Sequence, residues 1–161
     1  MATIILAPHV DDEIIGCYTL LKNELIDKVI YFYDLDDVRK AEALKIAELF
    51  EHEVSFKGYE EKIDIHDTLY IPSKFDYHPH HWKVYQYGRD LPNRNSWCYS
   101  VEKNLHCDLL SVRDSTYKLK ALDSLIPTQR DLWRYNAKYI LFELIYQLGE
   151  DIGKEFYSNE Y

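Results

Sequence analysis

The residues best suited to chemistry lie close to the amino terminus. Residues 7–13 read Ala-Pro-His-Val-Asp-Asp-Glu, and they directly follow an apolar run at residues 3–6 that predicts a buried strand. Open α/β sheets place their active sites at the carboxyl ends of their strands. His9 and Asp12 can therefore reach one divalent cation there, while Asp11 between them can remain a free base.

A purely structural role for these acids is the alternative. A helix start needs one capping carboxylate, so Asp11 or Asp12 could cap the helix while the other acids favour its dipole. A cap alone does not explain a histidine followed by three acids in a strand–turn–helix setting. We therefore favour the functional interpretation.

A second group of metal-capable side chains follows another predicted strand. Residues 76–81 read Asp-Tyr-His-Pro-His-His and come shortly after the apolar run at residues 68–71. Imidazole is a common zinc ligand, and catalytic zinc typically takes three protein ligands and leaves one position for water. His9, Asp12 and one histidine of this second group would supply that set.

The elements that must position these groups alternate along the chain. Apolar runs and helical stripes follow one another through the first half, which predicts βαβ units in a Rossmann-like, three-layer α/β/α fold with a largely parallel sheet. The predicted strands cover residues 3–6, 29–33, 54–56, 68–71, 97–101 and 109–112. The predicted helices cover residues 12–25, a segment capped by Asp36, residues 115–125 and a long final helix whose stripe runs from Trp133 to Leu148.

Length and charge exclude several classes of protein. With 161 residues, 47% of them hydrophobic, the chain is predicted to form one domain over residues 1–161. Its net charge of -9 has the wrong sign for binding free nucleic acid or an anionic membrane surface. We expect no membrane span. A cytoplasmic location is expected because the three cysteines form no CxxC pair and no signal-like segment precedes the first predicted strand. Assembly into a homo-oligomer stays open.

Taken together, the two motifs resemble those of the PIG-L/LmbE-like metal-dependent deacetylases. Members of that family carry Ala-His-Pro-Asp-Asp-Glu or Pro-His-x-Asp-Asp-Glu and a later His-Pro-Asp-His. The resemblance implies an LmbE-like fold and a zinc-dependent enzyme that removes the N-acetyl group from a small amino-sugar substrate, N-acetylglucosamine or its conjugates. It also implies that His9, Asp12 and His81 bind Zn²⁺, although Fe²⁺ or another divalent ion suits the same atoms.

The resemblance implies roles for further residues. Asp11 would be the general base, and a protonated His78 would stabilise the oxyanion. Arg39 lies in a segment similar to the family's Arg-x-x-Glu, and Lys118 and Gln129 lie in segments similar to its Lys-x-x-Ala-Leu and Ser/Thr-Gln. These three residues would bind substrate. Without the resemblance, Arg39 would be interpreted as a solvated residue near a helix start, and Lys118 with Gln129 as an exposed pair.

The chain departs from the family pattern in three places. His80 replaces the aspartate of His-Pro-Asp-His, which removes a carboxylate that could orient a neighbouring ligand. Residues 34–37 replace the family's Thr-x-Gly-Glu, and the stretch from 56 to 70 is short. Two alternatives to a deacetylase therefore stay open. One is a non-catalytic metal-binding relic of the fold, and the other is a metal-dependent hydrolase of another ester or of a phosphoester.

Overall fold

Strands and helices alternate through the first half of the chain. The structure is a computed structural model that describes residues 1–93, 95–101, 110–111, 115–130, 142–143 and 145–148. Its strands are β1 (Thr3–Ala7), β2 (Lys28–Tyr31), β3 (Glu53–Ser55), β4 (Thr68–Pro72), β5 (Asn95–Tyr99), β6 (Leu110–Ser111), β7 (Phe142–Glu143) and β8 (Ile145–Gln147). Its helices are α1 (Asp12–Lys22), α2 (Asp37–Phe50), α3 (Pro79–Asp90) and α4 (Ser115–Leu125), with 3₁₀ turns at Gly58–Glu60 and Pro127–Gln129. Across these described ranges, no helix combines the length and the apolar composition needed to cross a membrane.

The main sheet has the order β3-β2-β1-β4-β5-β8. All pairs from β3 to β5 are parallel, and β8 pairs antiparallel with β5 at the edge. The predicted α/β fold with a largely parallel sheet is confirmed, and the arrangement is consistent with a Rossmann-like fold. The chain moves outward from β1 to β3 and then returns to the other side of β1. The boundary between β1 and β4 is therefore the switch point at which such sheets bind ligands.

Alternate residues of β1 face two separate apolar layers. Ile5 and Ala7 pack with buried residues of α1, α2 and α4, whereas Ile4 and Leu6 pack with buried residues of α3. Helices therefore cover both faces of the sheet, in the three layers that the sequence predicts. Burying one isoleucine or leucine side chain stabilises the fold by about 1.5–3 kcal/mol, so packing on both faces holds β1 in the centre of the sheet.

Helix α1 approaches the sheet closely at Gly16. A side chain at this position would collide with the ring of Tyr99, which is fully buried at the end of β5. The hydroxyl of Tyr99 donates a hydrogen bond of 2.8 Å to the carbonyl of Leu6 in β1. This contact holds the start of α1, and with it the acidic motif, beside the carboxyl end of β1.

The ends of two predicted helices are informative. Asp36 caps α2 as predicted, since its carboxylate accepts a 2.8 Å hydrogen bond from the backbone N–H of Arg39. Helix α1 ends at Lys22 and does not reach Leu25, because Glu24 adopts a left-handed conformation with φ 54° that turns the chain toward β2.

The long final helix is wrong for the part of it that the structure describes. Residues 131–141 lie outside the described residues, but Phe142–Glu143 and Ile145–Gln147 form strands β7 and β8. Strand β8 covers β5, which would otherwise be an open sheet edge with unpaired backbone groups. A helical stripe in the sequence carries no information about such a long-range requirement.

A buried ion pair stabilises a break inside α1. Cys17 departs from helical geometry with φ −134° and ψ 23°. In a regular helix the N–H of Thr19 would donate to the carbonyl of Ile15. Here the Lys118 ammonium donates to that carbonyl at 2.8 Å, and the Glu143 carboxylate accepts from the N–H of Thr19 at 3.0 Å. Lys118 and Glu143 lie 3.5 Å apart, with side chains 0% and 4% exposed.

Replacing Lys118 by methionine is expected to destabilise the chain by about 3–5 kcal/mol, because it leaves the buried Glu143 carboxylate without its cation. Urea unfolding of the wild type and the variant would measure the change. Lys120→Met is the matched control, since Lys120 is exposed on the same helix and its loss should cost less than about 0.5 kcal/mol. Equal small effects of both substitutions would show that the ion pair of Lys118 and Glu143 does not stabilise the fold.

Candidate metal centre

The two motifs meet at the switch point of the sheet. Residues 8–11 leave the carboxyl end of β1, and residues 73–78 leave the carboxyl end of β4. Because β1 and β4 are parallel neighbours, both segments emerge at the same edge. The turn after β5 joins them there through Ser100 and Val101. Three chain segments that are distant in sequence therefore build one site.

One carboxylate oxygen of Asp12 lies between two imidazoles at this edge. Oδ2 of Asp12 lies 3.3 Å from Nδ1 of His9 and 3.3 Å from Nε2 of His81. Asp12 and His81 are buried, and the His9 side chain is 14% exposed, so the group opens to solvent on the His9 side. Two imidazoles and one carboxylate with an open side are a donor set of catalytic zinc sites, so the chemistry of these donors suits a divalent cation. The structure brings together the three metal ligands that the resemblance implies.

The charges of these groups are mutually dependent. Burial alone would raise the pKa of Asp12, but His81 and His9 beside it hold that pKa below its ordinary value. Burial alone would lower the pKa of His81, but the carboxylates of Asp12 and Asp76 outweigh it and raise the pKa to about 10. Near neutral pH, and without a metal ion, a protonated His81 therefore neutralises Asp12. A bound cation would take the place of that proton.

Metal affinity is expected to rise with pH, by about tenfold per pH unit between pH 7 and 9. The sign follows from His81, whose pKa of about 10 means that the ligating nitrogen must first lose a proton. Zn²⁺ titrations against a competing chelator at several pH values would measure the slope. Calorimetry in buffers of different ionisation enthalpy should show about one proton released. An affinity that is constant over this range would contradict the expectation.

Asp76 orients His81, and sequence reasoning assigned it no role. Its Oδ2 lies 3.1 Å from Nδ1 of His81, on the side of the ring opposite Asp12. Asp76 also accepts hydrogen bonds from the hydroxyl of Ser100 at 2.7 Å and from the N–H of Val101 at 3.0 Å. Outer carboxylates of this kind fix the tautomer and direction of a ligating histidine. Asp76 thus supplies an orienting carboxylate that the change to His80 removed from the motif, and its position shortly after β4 is the sequence feature that points to it.

Replacing Asp76 by asparagine is expected to weaken Zn²⁺ binding by about 10–100-fold, because His81 would lose the carboxylate that orients it. Competition with a chromogenic chelator would measure the loss. Asp90→Asn is the matched control, since Asp90 is exposed at the far end of α3, the helix that carries His81. Unchanged affinity in a folded Asp76→Asn chain would show that Asp76 does not orient the ligand.

Arg39 lies beside the proposed base. Its Nη2 atom is 3.5 Å from Oδ2 of Asp11 and donates to the carbonyl of Val10. Its Nη1 atom donates to Glu42 at 2.7 Å and to the hydroxyl of Thr128 at 3.1 Å. Arg39 is 7% exposed, so the interpretation of it as a solvated residue is wrong. These contacts position Asp11, and a direct contact of Arg39 with substrate stays a prediction.

Asp11 does not act as the helix cap that the structural alternative requires. It stands at the cap position of α1, but its carboxylate makes no capping hydrogen bond. Its backbone has φ 146°, a strained conformation for a side-chain-bearing residue. The turn is held by Glu13, which accepts from the N–H of Asp11 at 3.0 Å and from the hydroxyl of Tyr31 at 2.7 Å. Burial raises the pKa of Asp11, the charge of Asp12 adds to this, and Arg39 opposes it.

His78 lies close to His9 and His81. One ring nitrogen from each of His9, His78 and His81 falls within 4.8 Å of the others. Nδ1 of His78 accepts from the N–H of His80 at 3.2 Å and caps α3, so the neutral ring carries its proton on Nε2. Burial and the neighbouring imidazoles lower the pKa of His78. The expectation of a protonated His78 therefore does not fit, although the neutral ring keeps one N–H to donate.

The last two predicted substrate residues lie elsewhere. Lys118 contacts Ile15 and Glu143 at the break in α1, and its complete burial excludes the exposed-pair alternative for this residue. Gln129 is half-buried in the second 3₁₀ turn, directly after Thr128, whose hydroxyl is the group that reaches Arg39. A role of Lys118 and Gln129 in substrate binding stays a prediction.

Comparison with known proteins adds no relative. No protein-family model, curated protein or solved structure matches the chain. The two motifs, and the geometry of the groups that they contribute, are therefore the basis for proposing a function.

Proposed function

We propose that the protein is a zinc-dependent de-N-acetylase that hydrolyses the amide of an N-acetylglucosamine-type amino sugar or its conjugate. One observation carries the proposal: Oδ2 of Asp12 lies 3.3 Å from donor nitrogens of both His9 and His81, while the adjacent Asp11 stays outside this ligand set. Metal binding alone does not require a second buried carboxylate at that place. Amide hydrolysis does, because it needs a proton acceptor beside the water.

The donor set decides which ions the site would hold. His9, Asp12 and His81 offer two imidazole nitrogens and one carboxylate oxygen, which suit Zn²⁺ and also Fe²⁺. When bound, the cation supplies a water whose pKa is lowered to about 7 and a positive charge near the substrate carbonyl.

Asp11 moves the proton in this proposal. Its carboxylate accepts the proton of the attacking water and later gives it to the nitrogen of the departing amine, so that no net proton is lost in the step. Burial, which raises its pKa, makes Asp11 a stronger proton acceptor than a surface carboxylate. Arg39, at 3.5 Å, keeps the carboxylate in place between the two transfers.

His78 stabilises the negative charge that develops on the substrate oxygen. Its neutral ring donates Nε2–H toward the oxygen of the tetrahedral intermediate, and removing one such donor typically lowers turnover by about 10²–10³-fold. Neutral imidazole suits this task because it donates a hydrogen bond without first having to gain a proton.

The rim of the site suits an amino sugar. Tyr33 stacks on the ring of His80 at 3.9 Å between centroids, and its hydroxyl bonds that of Tyr59 at 2.6 Å. Aromatic faces and hydroxyls side by side complement the apolar faces and polar edges of a sugar ring. The sugar class itself comes from the family resemblance.

A panel assay tests the proposal. The zinc-loaded protein is incubated with N-acetylglucosamine joined to a lipid, to a thiol precursor or to a nucleotide, and released acetate is measured beside Asp11→Asn. Acetate from at least one conjugate, lost in the variant, supports the de-N-acetylase. Stoichiometric zinc without acetate from any conjugate would overturn it, and phosphate release in the same samples would point to a phosphoester hydrolase.

A further inference from the structure

The imidazole of His9 has a second set of neighbours on the side away from Asp12. Its Nε2 atom lies 2.8 Å from Nδ1 of His80 and 3.4 Å from Oδ2 of Asp34. His80 and Asp34 are themselves 4.0 Å apart. We propose that these three side chains, the outer triad, bind a second divalent cation beside the one held by Asp12. In the proposed hydrolysis neither His80 nor Asp34 holds an ion or moves a proton, so this inference goes beyond it.

The distances and donor types of the outer triad suit a cation. Two imidazole nitrogens and one carboxylate oxygen lie within 4.0 Å of one another. Donors that bind zinc at about 2.0–2.2 Å in a tetrahedron stand roughly 3.3 Å apart, so small side-chain shifts are sufficient. The Asp34 side chain is 67% exposed and that of His80 is 31% exposed, which leaves room for water ligands and for entry from solvent.

The outer triad is oriented before any ion arrives. The His80 ring stacks on Tyr33 with an angle of 8° between the planes, and Tyr33 is held in turn by the hydroxyl of Tyr59. Asp34 follows β2 in a left-handed conformation with φ 56°, which aspartate tolerates better than most residues. This conformation leaves the carboxylate 3.4 Å from Nε2 of His9 and 4.0 Å from Nδ1 of His80.

When His9 binds two ions, its ring must lose one proton. Nδ1 faces Asp12 and Nε2 faces the outer triad, so each nitrogen binds a different ion. The second cation takes the place of the proton on the His9 ring, and that proton goes to solvent. The resulting imidazolate and the Asp34 carboxylate together offset the charge of the second ion.

Metal stoichiometry tests the outer triad. Metal-free wild type and variants are dialysed against Co²⁺ and, separately, Zn²⁺, and bound ions per chain are counted by elemental analysis. Two ions are expected in the wild type, and one in His80→Gln or in Asp34→Asn. His81→Ala should keep the outer ion alone, and His66→Gln, at an exposed position outside both groups, should keep two. The second Co²⁺ should add its own visible absorption, absent from His80→Gln.

Two results of this experiment would overturn the outer triad. If His80 and Asp34 only orient His9, the wild type binds one ion and both variants merely weaken it, which overturns the outer triad. Two ions in folded His80→Gln overturn it as well. The outcome is independent of catalysis, because two ions without acetate release would reject the de-N-acetylase alone. One ion with acetate release would reject the outer triad alone.

Discussion

Asp11→Asn is expected to lower acetate release by about 10²–10⁴-fold while the chain keeps the ion held by Asp12. Asparagine has nearly the same shape and keeps an oxygen facing Arg39, whose Nη2 atom lies 3.5 Å from Oδ2 of Asp11, but it cannot take a proton from water. Because burial raises the pKa of Asp11, a neutral side chain is well tolerated there. We therefore expect a folded, metal-loaded and nearly inactive protein.

Three measurements on one preparation test this result. Acetate release gives turnover, elemental analysis gives ions per chain, and thermal unfolding shows that the fold is kept. Asp37→Asn is the matched control, since it makes the same change at an exposed position at the start of α2 and should leave turnover unchanged. Full turnover in Asp11→Asn would remove Asp11 from the mechanism, and a lost ion would make it a ligand.

His81→Ala is expected to abolish binding of the ion held by Asp12, with a loss of affinity of more than about 100-fold, and acetate release with it. Removing an outer partner of a ligand already costs about 10–100-fold, so removing the ligand itself should cost more. The substitution also leaves the buried carboxylates of Asp12 and Asp76 without the imidazole that lies 3.3 Å and 3.1 Å from them.

The measurement is best made in an Asp34→Asn background, where an ion at the outer triad cannot contribute. Zn²⁺ affinity is then determined by competition with a chelator, and His66→Ala, at an exposed position, is the matched control. Should the alanine variant fail to fold, His81→Gln keeps a donor toward Asp76 and allows the same measurement. Full occupancy of the site in either folded variant would refute the ligand assignment.

Local features of the chain could be predicted because they depend on neighbours in sequence. The apolar runs identified the strands of the first half, and Asp36 was recognised as a cap because side chain and N–H belong to one turn. The predicted final helix is wrong at residues 142–143 and 145–147, which form strands, and β8 pairs with β5, a strand far away along the chain. Hydrophobic periodicity does not show that a sheet edge such as β5 must pair with a distant strand.

In the candidate site, too, the sequence predicts some residues, whereas folding alone places others. The types and order of His9, Asp11, Asp12 and the histidines at 78–81 are properties of the sequence, and these side chains suit metal binding and proton transfer. The roles of the residues around them cannot be read from the sequence. Arg39 and Asp76 are ordinary charged residues in the sequence, and only folding buries them against Asp11 and His81, where a charge without a partner would be costly.

By itself, the sequence determined which donor groups stand at strand ends and that the strands form an α/β fold, because these properties follow from local pattern. Only the tertiary structure decided that β1 and β4 are neighbours, that one oxygen of Asp12 lies between two imidazoles, and that His9 also faces Asp34 and His80. Such distances of a few ångströms arise from the packing of segments that are far apart along the chain, and packing is a property of the whole domain.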